Sequence, residues 1–338
     1  MVQLTGYTRN DFNYHKPDRK RRVFLIVGLA MIVIIGFAVG SSLKEIRVTA
    51  EQAPFWQKVA DIFTFTETED PDYIMPNKEA DRLDVLILGV RGEDDPDAKD
   101  GGALLTDTVM IFSFDKKSKK SSIISLPRDL YVKTSNKKEG KINSIYENLG
   151  LKNTKDLLSK ITGVYLDKAI VIDFSSFEKI VDAMGGVNIT LAKPFVEQQQ
   201  WGYEFYLPAG ENHLNGKDAL YYARSRFSSN DFDRSRRQQE VLFALKNKLA
   251  EHNWWSDPVK TLNIVTAISA NIKTDFNILN SKELLDLADE INSTDKISKY
   301  IISTENLVYE SRYNEAYILL PVGDNLTQLK QLFQTIIQ

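Results

Sequence analysis

The feature that most constrains this chain is an apolar run of 18 residues, Val23 to Gly40, which contains no charged residue. A helix over this run is about 27 Å long, close to the roughly 30 Å thickness of a bilayer's hydrocarbon core. The run has no polar face, which disfavours a helix buried in a soluble core. A cleaved signal peptide is the alternative, but its apolar core is usually only about 7–15 residues long, and SSLKEIRVTA (41–50) is a poor cleavage site. The run therefore predicts a retained transmembrane helix.

The residues before the apolar run predict its orientation. Six basic and two acidic residues precede it, and basic residues beside a membrane span stay in the cytoplasm. We therefore expect a single-pass cell-membrane protein with a cytoplasmic N-terminus and an extracytoplasmic domain. The predicted division is a basic cytoplasmic tail (1–22), the transmembrane helix (23–40), a juxtamembrane helix and linker (41–82) and an extracytoplasmic folded domain (83–338).

The composition excludes several classes of function. The net charge is −3, so there is no overall basic surface for nucleic acid. Only 22 residues precede the span, too few for a helix-turn-helix domain inside the cell. The chain has no cysteine, which excludes disulfides, thiolate metal sites and cysteine nucleophiles. Its histidines, His15, His213 and His252, are scattered, which disfavours a histidine-built zinc site and a Ser-His-Asp triad.

Beyond residue 82 the hydrophobic pattern predicts an α/β domain. β-rich apolar runs are bounded by turn residues, and two of them are joined by a short lysine-rich turn that predicts a hairpin. Segments with helical periodicity follow. Strands covered by helices on both sides predict an α/β sandwich with a mixed central sheet. The predicted strands are 83–90, 108–115, 121–127, 169–174 and 317–322, and the predicted helices are 175–186, 236–249 and 282–291.

The stretch 221–239 is the most unusual chemical feature of the chain. It contains five arginines and no lysine, although lysine outnumbers arginine in the chain as a whole. Guanidinium is always charged and its planar donors fit two phosphate oxygens at once, whereas lysine is a mobile point charge. The stretch therefore predicts a phosphate-binding site, with a structural arginine–aspartate network on a surface helix as the alternative. Its charged residues are Arg224, Arg226, Asp231, Asp233, Arg234, Arg236 and Arg237.

The spacing predicts which of these arginines converge. Arg224 and Arg226 are two residues apart, so in extended backbone their side chains point to the same face. Arg234 and Arg237 are three apart and are expected to share a helical face. The interleaved aspartates can pair with neighbouring arginines, hold the guanidiniums in place and limit their mutual repulsion while no ligand is bound.

Other polar residues stand at the ends of the predicted strands, where functional groups concentrate. Asp107 precedes one strand, Arg128 and Asp129 follow another, and Lys141 and Asn143 lie in a loop that opens a helix. A hard cation such as Mg²⁺ binds one or two carboxylates together with phosphate oxygens, so the two aspartates are candidate ligands. The alternatives are a turn or helix cap at Asp107, a local ion pair between Arg128 and Asp129, a solvated lysine, and an N-cap at Asn143.

Taken together, these clusters resemble the LytR-CpsA-Psr family of wall-polymer transferases. Seven blocks occur in the family's order over roughly residues 83–249, which makes the resemblance far more specific than any single block. The blocks are LDVLILGV, LLTDTVMIFSFD, ISLPRDLYV, GKINSIYENLG, IDFSSFEKIVDAMGGVNI, LPAGENHLNGKDALYYARSR and DFDRSRRQQEVL.

The resemblance implies a fold and an activity. The fold is a three-layer α/β/α sandwich with an apolar pocket for a polyprenyl chain. The activity is a phosphotransferase reaction that moves a glycopolymer from a polyprenyl-pyrophosphate carrier to a sugar hydroxyl of peptidoglycan. Mg²⁺ is the implied cofactor, and the glycan donor, the peptidoglycan acceptor and the membrane are the implied partners.

The resemblance also implies roles for individual residues. Asp107 matches the family's metal-binding aspartate, and Asp129 and Asp231 match its polar site. The residues assigned to the pyrophosphate are Arg128, Lys141, Arg224, Arg226, Arg234, Arg237 and Gln238. The lipid tail is assigned to Ile111, Phe112, Ile124, Val171 and Phe177, for which ordinary core packing is the alternative.

One departure from the family pattern concerns the metal. Arg91 stands where a second metal-binding aspartate is expected, just after the first strand. Either Asp94 or Asp95 replaces that aspartate from the following loop, or Asp107 and phosphate oxygens hold Mg²⁺ alone. Arg91 would then add a positive charge beside the phosphates.

Two rival functions remain at the level of the sequence. A pyrophosphohydrolase would bind the same phosphates and deliver water in place of a sugar hydroxyl. A non-catalytic wall-polymer-binding regulatory protein would keep the arginines for affinity alone. Either Asp129 or Asp231 could position an arginine or accept the proton of an attacking hydroxyl.

Overall fold

The computed structural model describes residues 73–337, except 96–97, 99–101, 136–137, 228, 252–257 and 277–296. The predicted tail, transmembrane helix and most of the juxtamembrane segment, and the predicted helix 282–291, lie outside this described part. Within it, no helix has the length and hydrophobicity needed to cross a membrane.

The described chain contains both strands and helices. In chain order the strands are β1 (Arg82–Val90), β2 (Thr106–Asp115), β3 (Ser121–Leu126), β4 (Tyr131–Ser135), β5 (Lys138–Lys141), β6 (Lys168–Asp173), β7 (Val187–Leu191), β8 (Phe195–Glu197), β9 (Phe205–Leu207), β10 (Gly210–Leu214), β11 (Ile272–Thr274), β12 (Ile297–Ile301), β13 (Val308–Tyr313) and β14 (Ala316–Pro321). The helices are α1 (Ile145–Thr162), α2 (Phe174–Ala183), α3 (Gly216–Arg224), α4 (Asp231–Glu251), α5 (Pro258–Asn271) and α6 (Thr327–Thr335).

Six of these strands form the central sheet, in the order β11-β6-β1-β2-β3-β12. β1 is antiparallel to β2 and parallel to β6. β3 is antiparallel to β2 and parallel to β12, and β11 is antiparallel to β6. The predicted mixed sheet and the predicted β2–β3 hairpin are therefore confirmed.

The first face of the sheet carries the main hydrophobic core. Leu86 of β1 pairs with Ile111 of β2, which pairs with Ile124 of β3, so all three side chains lie on this face. They are fully buried with Val171 against α1 and α6, which contribute Leu158, Ile161, Leu329 and Phe333. Burial of such side chains, at about 1.5–3 kcal/mol each, is the main force that holds these elements together.

The second face of the sheet is covered by α2, α3, α4 and α5. Ile87 pairs with Met110 and Ile170, which places these residues on this face by strand alternation. Gln239 of α4 donates hydrogen bonds to Ser125 Oγ (2.8 Å) and to the Tyr300 carbonyl (3.0 Å), which fixes the helix over β3 and β12. The two faces therefore have separate roles, since the first carries the main core and the second adjoins a cavity.

Two helices, α2 and α4, begin earlier in the chain than the sequence predicts. α2 begins at Phe174 because the carboxylate of Asp173 caps it, accepting from the Ser176 amide at 2.7 Å. α4 begins at Asp231, five residues before the predicted start, because Asn230 accepts from the Asp233 amide at 2.8 Å. Asparagine is a favoured N-cap, and this start places the whole Asp231–Arg237 stretch on the helix.

A buried ion pair stands at the point where the folded domain begins. Arg82, assigned to the linker from the sequence, is the first residue of β1, and its Nε lies 2.6 Å from Asp84 Oδ2. Its Nη2 also donates to the Phe333 carbonyl at 2.7 Å and to Ser113 Oγ at 3.3 Å. Arg82 therefore ties β1 to β2 and to the C-terminal helix α6.

We predict that Arg82→Ala destabilises the protein by about 3–5 kcal/mol, because the substitution leaves the buried Asp84 carboxylate without its counter-charge. Urea unfolding followed by circular dichroism measures this loss. Lys117→Ala is the control, since Lys117 pairs with Asp81 at an exposed position and surface pairs contribute little. Equal effects of the two substitutions would contradict the structural role of Arg82.

Candidate functional site

A cavity of about 290 Å³ lies against the second face of the central sheet. β1, β2 and β6 form one side of it, and α2, α3 and α4 cover it. More than half of its lining residues are apolar, which gives an amphiphilic ligand a place for a hydrocarbon chain. Principal among them are Met110, Phe174, Phe177, Leu220, Val241 and Leu245.

Charged side chains line the same cavity where the strands end. The carboxyl ends of β1, β3 and β6 meet the amino end of β2 at one edge of the sheet, as the pairing requires. The residues that follow or begin these strands therefore lie close together. The polar lining consists of Arg91, Asp107, Arg128, Asp173, Gln200, Arg224, Arg226, Arg234 and Gln238, with Thr108 beside them.

Arg128 is the centre of the charged cluster. It lies in the turn after β3, and its Nη1 is 2.5 Å from Asp107 Oδ1 on β2. Its Nε is 3.1 Å from Asp231 Oδ2 on α4. Arg234, one turn along α4, pairs with Asp231 Oδ1 at 3.2 Å and donates from Nη2 to the Asp107 carbonyl at 3.5 Å. The predicted Asp107, Arg128, Asp231 and Arg234 thus form one network that joins the sheet to the helix.

Arg224 and Arg226 reach the cavity from the end of α3. The Gln200 side chain holds this segment, since it donates to the Arg224 carbonyl at 3.1 Å and accepts from the Arg226 amide at 2.7 Å. The Arg224 guanidinium lies 3.8 Å from the ring centroid of Phe174 and 3.4 Å from Asp95 Oδ2. Both arginines therefore line the cavity, as their spacing suggested, although Arg224 belongs to a helix.

The guanidiniums determine the charge state of Asp107. Burial alone would raise the pKa of its carboxyl, but the positive charges of Arg128, Arg234 and Arg91 outweigh burial and hold the pKa below its ordinary value. Asp107 is therefore anionic at neutral pH.

Two nitrogens of the cluster are buried and bonded to no acceptor in the described part of the chain. These are Nε of Arg91 and Nε of Arg234. Buried donors are nearly always hydrogen-bonded in native proteins, so the fold leaves part of the hydrogen-bonding capacity of these two guanidiniums unused.

Several predicted site residues lie elsewhere. Arg237 does not share the cavity with Arg234: it donates from Nε to the Tyr222 carbonyl at 3.0 Å, and from Nη2 to Ser229 Oγ at 3.0 Å and to the Ser225 carbonyl. Arg237 therefore does not line the cavity, because its donors hold the α3–α4 connection. Lys141 pairs with Asp129 at 2.6 Å, and neither lines the cavity.

The predicted lipid pocket is partly on the wrong face of the sheet. Phe177 lines the cavity, but Ile111, Ile124 and Val171 belong to the core on the first face. Phe112 alternates onto the second face beside Met110, yet it is not part of the lining. The sheet residues that line the cavity are displaced by one position from the predicted ones, for example Met110 in place of Ile111.

Sequence reasoning also missed residues that build the site. Gln200 and Trp201 line the cavity from the segment before β9, and Trp201 stacks on Tyr221 at 4.1 Å between ring centroids. Neither stands in a motif block. Their only signal is that Trp201 is a large aromatic residue in an otherwise polar loop.

The sequence model of the LytR_cpsA_psr family matches residues 54–334. The chain belongs to this family. The match begins before β1 and extends through β14 and α6, so the segments after α4 are part of the family domain as well.

Two curated members of the LytR_cpsA_psr family illustrate the relationship. The polyisoprenyl-teichoic acid–peptidoglycan teichoic acid transferase TagV of Bacillus subtilis is 26% identical over 321 residues, which are 93% of this chain and 78% of TagV. The regulatory protein MsrR of Staphylococcus aureus is 34% identical over 177 residues, which are 52% of this chain and 51% of MsrR. The chain therefore aligns with about half the length of MsrR.

Solved structures show the same fold. The crystal structure of B. subtilis TagV is 25% identical and superposes with a TM-score of 0.60, covering 76% of this chain and 97% of the chain in that crystal structure. A structure of TagT bound to LIIa-WTA is 21% identical, with a TM-score of 0.60 over 81% of this chain and 94% of TagT.

The carboxylates at the cavity do not fit a magnesium site. Oδ1 of Asp107 is held by Arg128, and its Oδ2 faces Arg91 Nε at 3.7 Å. Asp95 pairs with Arg224, and Asp94 is exposed. No group of three or more metal-binding side chains occurs in the described chain. Neither loop aspartate is therefore placed as the second carboxylate.

We predict that Asp107→Asn destabilises the protein at pH 7 by about 1–3 kcal/mol, because the network loses its anionic partner. Because the pKa of Asp107 is lower in the folded than in the unfolded protein, its ionised carboxylate stabilises the fold. This stabilisation is complete above the unfolded-state pKa of about 3.9 and is lost as the pH falls through the folded-state pKa. The difference between wild type and variant should therefore shrink below about pH 4. Urea unfolding at a series of pH values measures it, with Glu211→Gln, at an exposed position outside the cavity, as control. Parallel pH profiles for wild type and Asp107→Asn would contradict the assignment.

Proposed function

We propose that the protein is a membrane-anchored phosphotransferase. It moves a glycopolymer from a polyprenyl-pyrophosphate carrier to a sugar hydroxyl of peptidoglycan, and so attaches the polymer to the cell wall. The observation that carries this proposal is an apolar cavity with five arginines at one edge. A hydrocarbon chain joined to a pyrophosphate has the chemistry that such a cavity would bind.

The names of relatives support the same reaction class. TagV is named for the transfer of teichoic acid from a polyisoprenyl carrier to peptidoglycan, and a TagU of Bacillus licheniformis, 28% identical over 76% of this chain and 79% of that protein, carries the same description. The cavity residues agree with a donor of that kind, since one part of the lining is apolar and the other cationic.

We assign the binding of the pyrophosphate to four of the arginines that line the cavity, Arg128, Arg224, Arg226 and Arg234. Arg128 and Arg234 are fixed by Asp107 and Asp231, so their N–H groups are oriented before the substrate arrives. Arg224 and Arg226 lie on the segment held by Gln200. Guanidinium groups stabilise the charge that develops on phosphate oxygens during transfer.

The reaction itself exchanges one phosphorus–oxygen bond for another. The acceptor hydroxyl attacks the phosphorus nearer the glycan, the bond to the bridging oxygen breaks, and polyprenyl phosphate leaves. Asp231 is our candidate to take the hydroxyl proton, because its side chain is 33% exposed beside Arg128 and Arg234, whereas that of Asp129 is 12% exposed.

The predicted membrane span places this chemistry beside its substrates. A helix over residues 23–40 with a cytoplasmic N-terminus would put the domain outside the cell, next to the bilayer that holds a polyprenyl carrier and the wall that receives the polymer.

We predict that Arg224→Ala combined with Arg226→Ala lowers transfer by about a hundredfold or more, because two charge-stabilising groups are lost. The assay follows polyprenyl phosphate release and glycan attachment to peptidoglycan by mass spectrometry. Arg236→Ala is the control, since Arg236 is exposed and pairs with Asp233 outside the cavity. Undiminished transfer by a folded double variant would exclude the proposed site.

We also predict that Leu242→Trp weakens the binding of geranylgeranyl pyrophosphate but not of inorganic pyrophosphate, because Leu242 lines the apolar part of the cavity. An indole there would occupy the space of the hydrocarbon chain. Calorimetric titration of both ligands measures the difference, and Asn247→Trp, at an exposed position of α4, is the matched control. Equal losses for the two ligands would show that the tail lies elsewhere.

A regulatory role is the second candidate, because MsrR is named a regulatory protein. It predicts binding of the lipid pyrophosphate without turnover. A pyrophosphohydrolase would release free glycan with no acceptor-linked product. The transfer assay separates all three possibilities.

A further inference from the structure

Arg91 occupies a particular place in the charged cluster. It follows Val90, the last residue of β1, whose partners are Thr106 on β2 and Asp173 on β6. Arg91 therefore leaves the sheet between the strand that carries Asp107 and the strand that carries Asp173. These are the two carboxylates that line the cavity.

The two carboxylates are poorly placed to share a cation. Oδ1 of Asp107 is already bonded to the guanidinium of Arg128. Asp173 is also occupied as the cap of α2, where it accepts from the Ser176 amide. A divalent cation held by both would have to sit in the region where the Arg91 side chain already provides a positive charge.

The fold makes little use of the Arg91 guanidinium. Its Nε lies 3.7 Å from Asp107 Oδ2, which is beyond hydrogen-bond distance, and Asp107 is already bonded to Arg128. The same Nε is buried without a hydrogen-bond acceptor in the described part of the chain. A purely structural arginine would be expected to bond its partner directly.

We propose that Arg91 contacts the pyrophosphate and supplies the positive charge that a divalent cation would otherwise supply, so that this protein binds its donor without a metal ion. The inference rests on the proposed function, since it concerns the same ligand. It makes Arg91 a binding residue in addition to the four arginines assigned above.

Calorimetric titration of the full-length protein in detergent with geranylgeranyl pyrophosphate tests this proposal. Wild-type affinity should change less than about twofold between EDTA and millimolar MgCl₂. Arg91→Ala should weaken binding about tenfold or more in both buffers, as expected for the loss of a charge-assisted contact. Arg236→Ala, the exposed arginine outside the cavity, should bind as the wild type does. The thermal melting of each variant verifies that it is folded.

Arg91→Asp provides a reciprocal test that does not depend on activity. A carboxylate at this position would adjoin Asp107 in place of the guanidinium, so the variant should bind Mn²⁺ in an electron paramagnetic resonance titration, whereas the wild type should not. Its affinity for geranylgeranyl pyrophosphate should then rise about tenfold or more when Mg²⁺ replaces EDTA.

The outcomes separate this inference from the proposed function. Loss of wild-type binding in EDTA, or unchanged binding by Arg91→Ala, would overturn the role of Arg91 and leave the donor site intact. Absence of wild-type binding in both buffers would overturn the proposed donor site, and the role of Arg91 with it.

Discussion

The ion pairs of Arg128 hold the candidate site together. This side chain leaves the turn after β3, bonds Asp107 on β2 and reaches Asp231 on α4, so one guanidinium connects the edge of the sheet to the helix that covers the cavity. The turn is fixed by its backbone, because the Arg128 carbonyl accepts from the Asn143 amide and the Asp129 carbonyl accepts from the Leu319 amide. Two segments distant in sequence thus fix the position of Arg128, and Arg128 in turn sets the distance between β2 and α4.

The sheet separates stability from ligand binding through strand alternation. Every second side chain along the strands, such as Leu86 and Ile111, points to the first face and is fully buried between the sheet and α1 and α6. The side chains between them, such as Ile87 and Met110, point to the second face, towards α2–α4, and line the cavity. A shift of one residue exchanges these roles. The first face can therefore be packed without gaps, while the second leaves space for a ligand at no cost to the main core.

The sequence predicts the elements of this fold better than their contacts. Apolar runs and turn residues locate β1, β2, β3 and β6, and the motif blocks identify the cationic cluster, because both signals are local. The face of the sheet to which Ile111 points cannot be read in the same way, since an unbroken apolar run such as VMIF (109–112) has no alternation to show which side chains face the cavity. The sequence likewise does not show that Arg234 lines the cavity while Arg237 does not, because this difference depends on α3, whose Tyr222 carbonyl accepts a hydrogen bond from Arg237.

Residues 23–40 lie outside the described chain, so the membrane span stays a prediction.

The arginines of the charged cluster repel one another, and their side chains are held in fixed positions before a ligand binds. Burial and the charge of Arg128 both lower the pKa of Arg234, which shows that the fold holds this guanidinium in an unfavourable environment. Asp107 and Asp231 offset part of the repulsion and also fix the donors, so little side-chain entropy remains to be lost when an anion binds. An anion bound in the cavity would relieve the repulsion among the guanidiniums that line it. An arrangement that is costly while empty and is relieved by negative charge is the one expected of a preorganised anion-binding site.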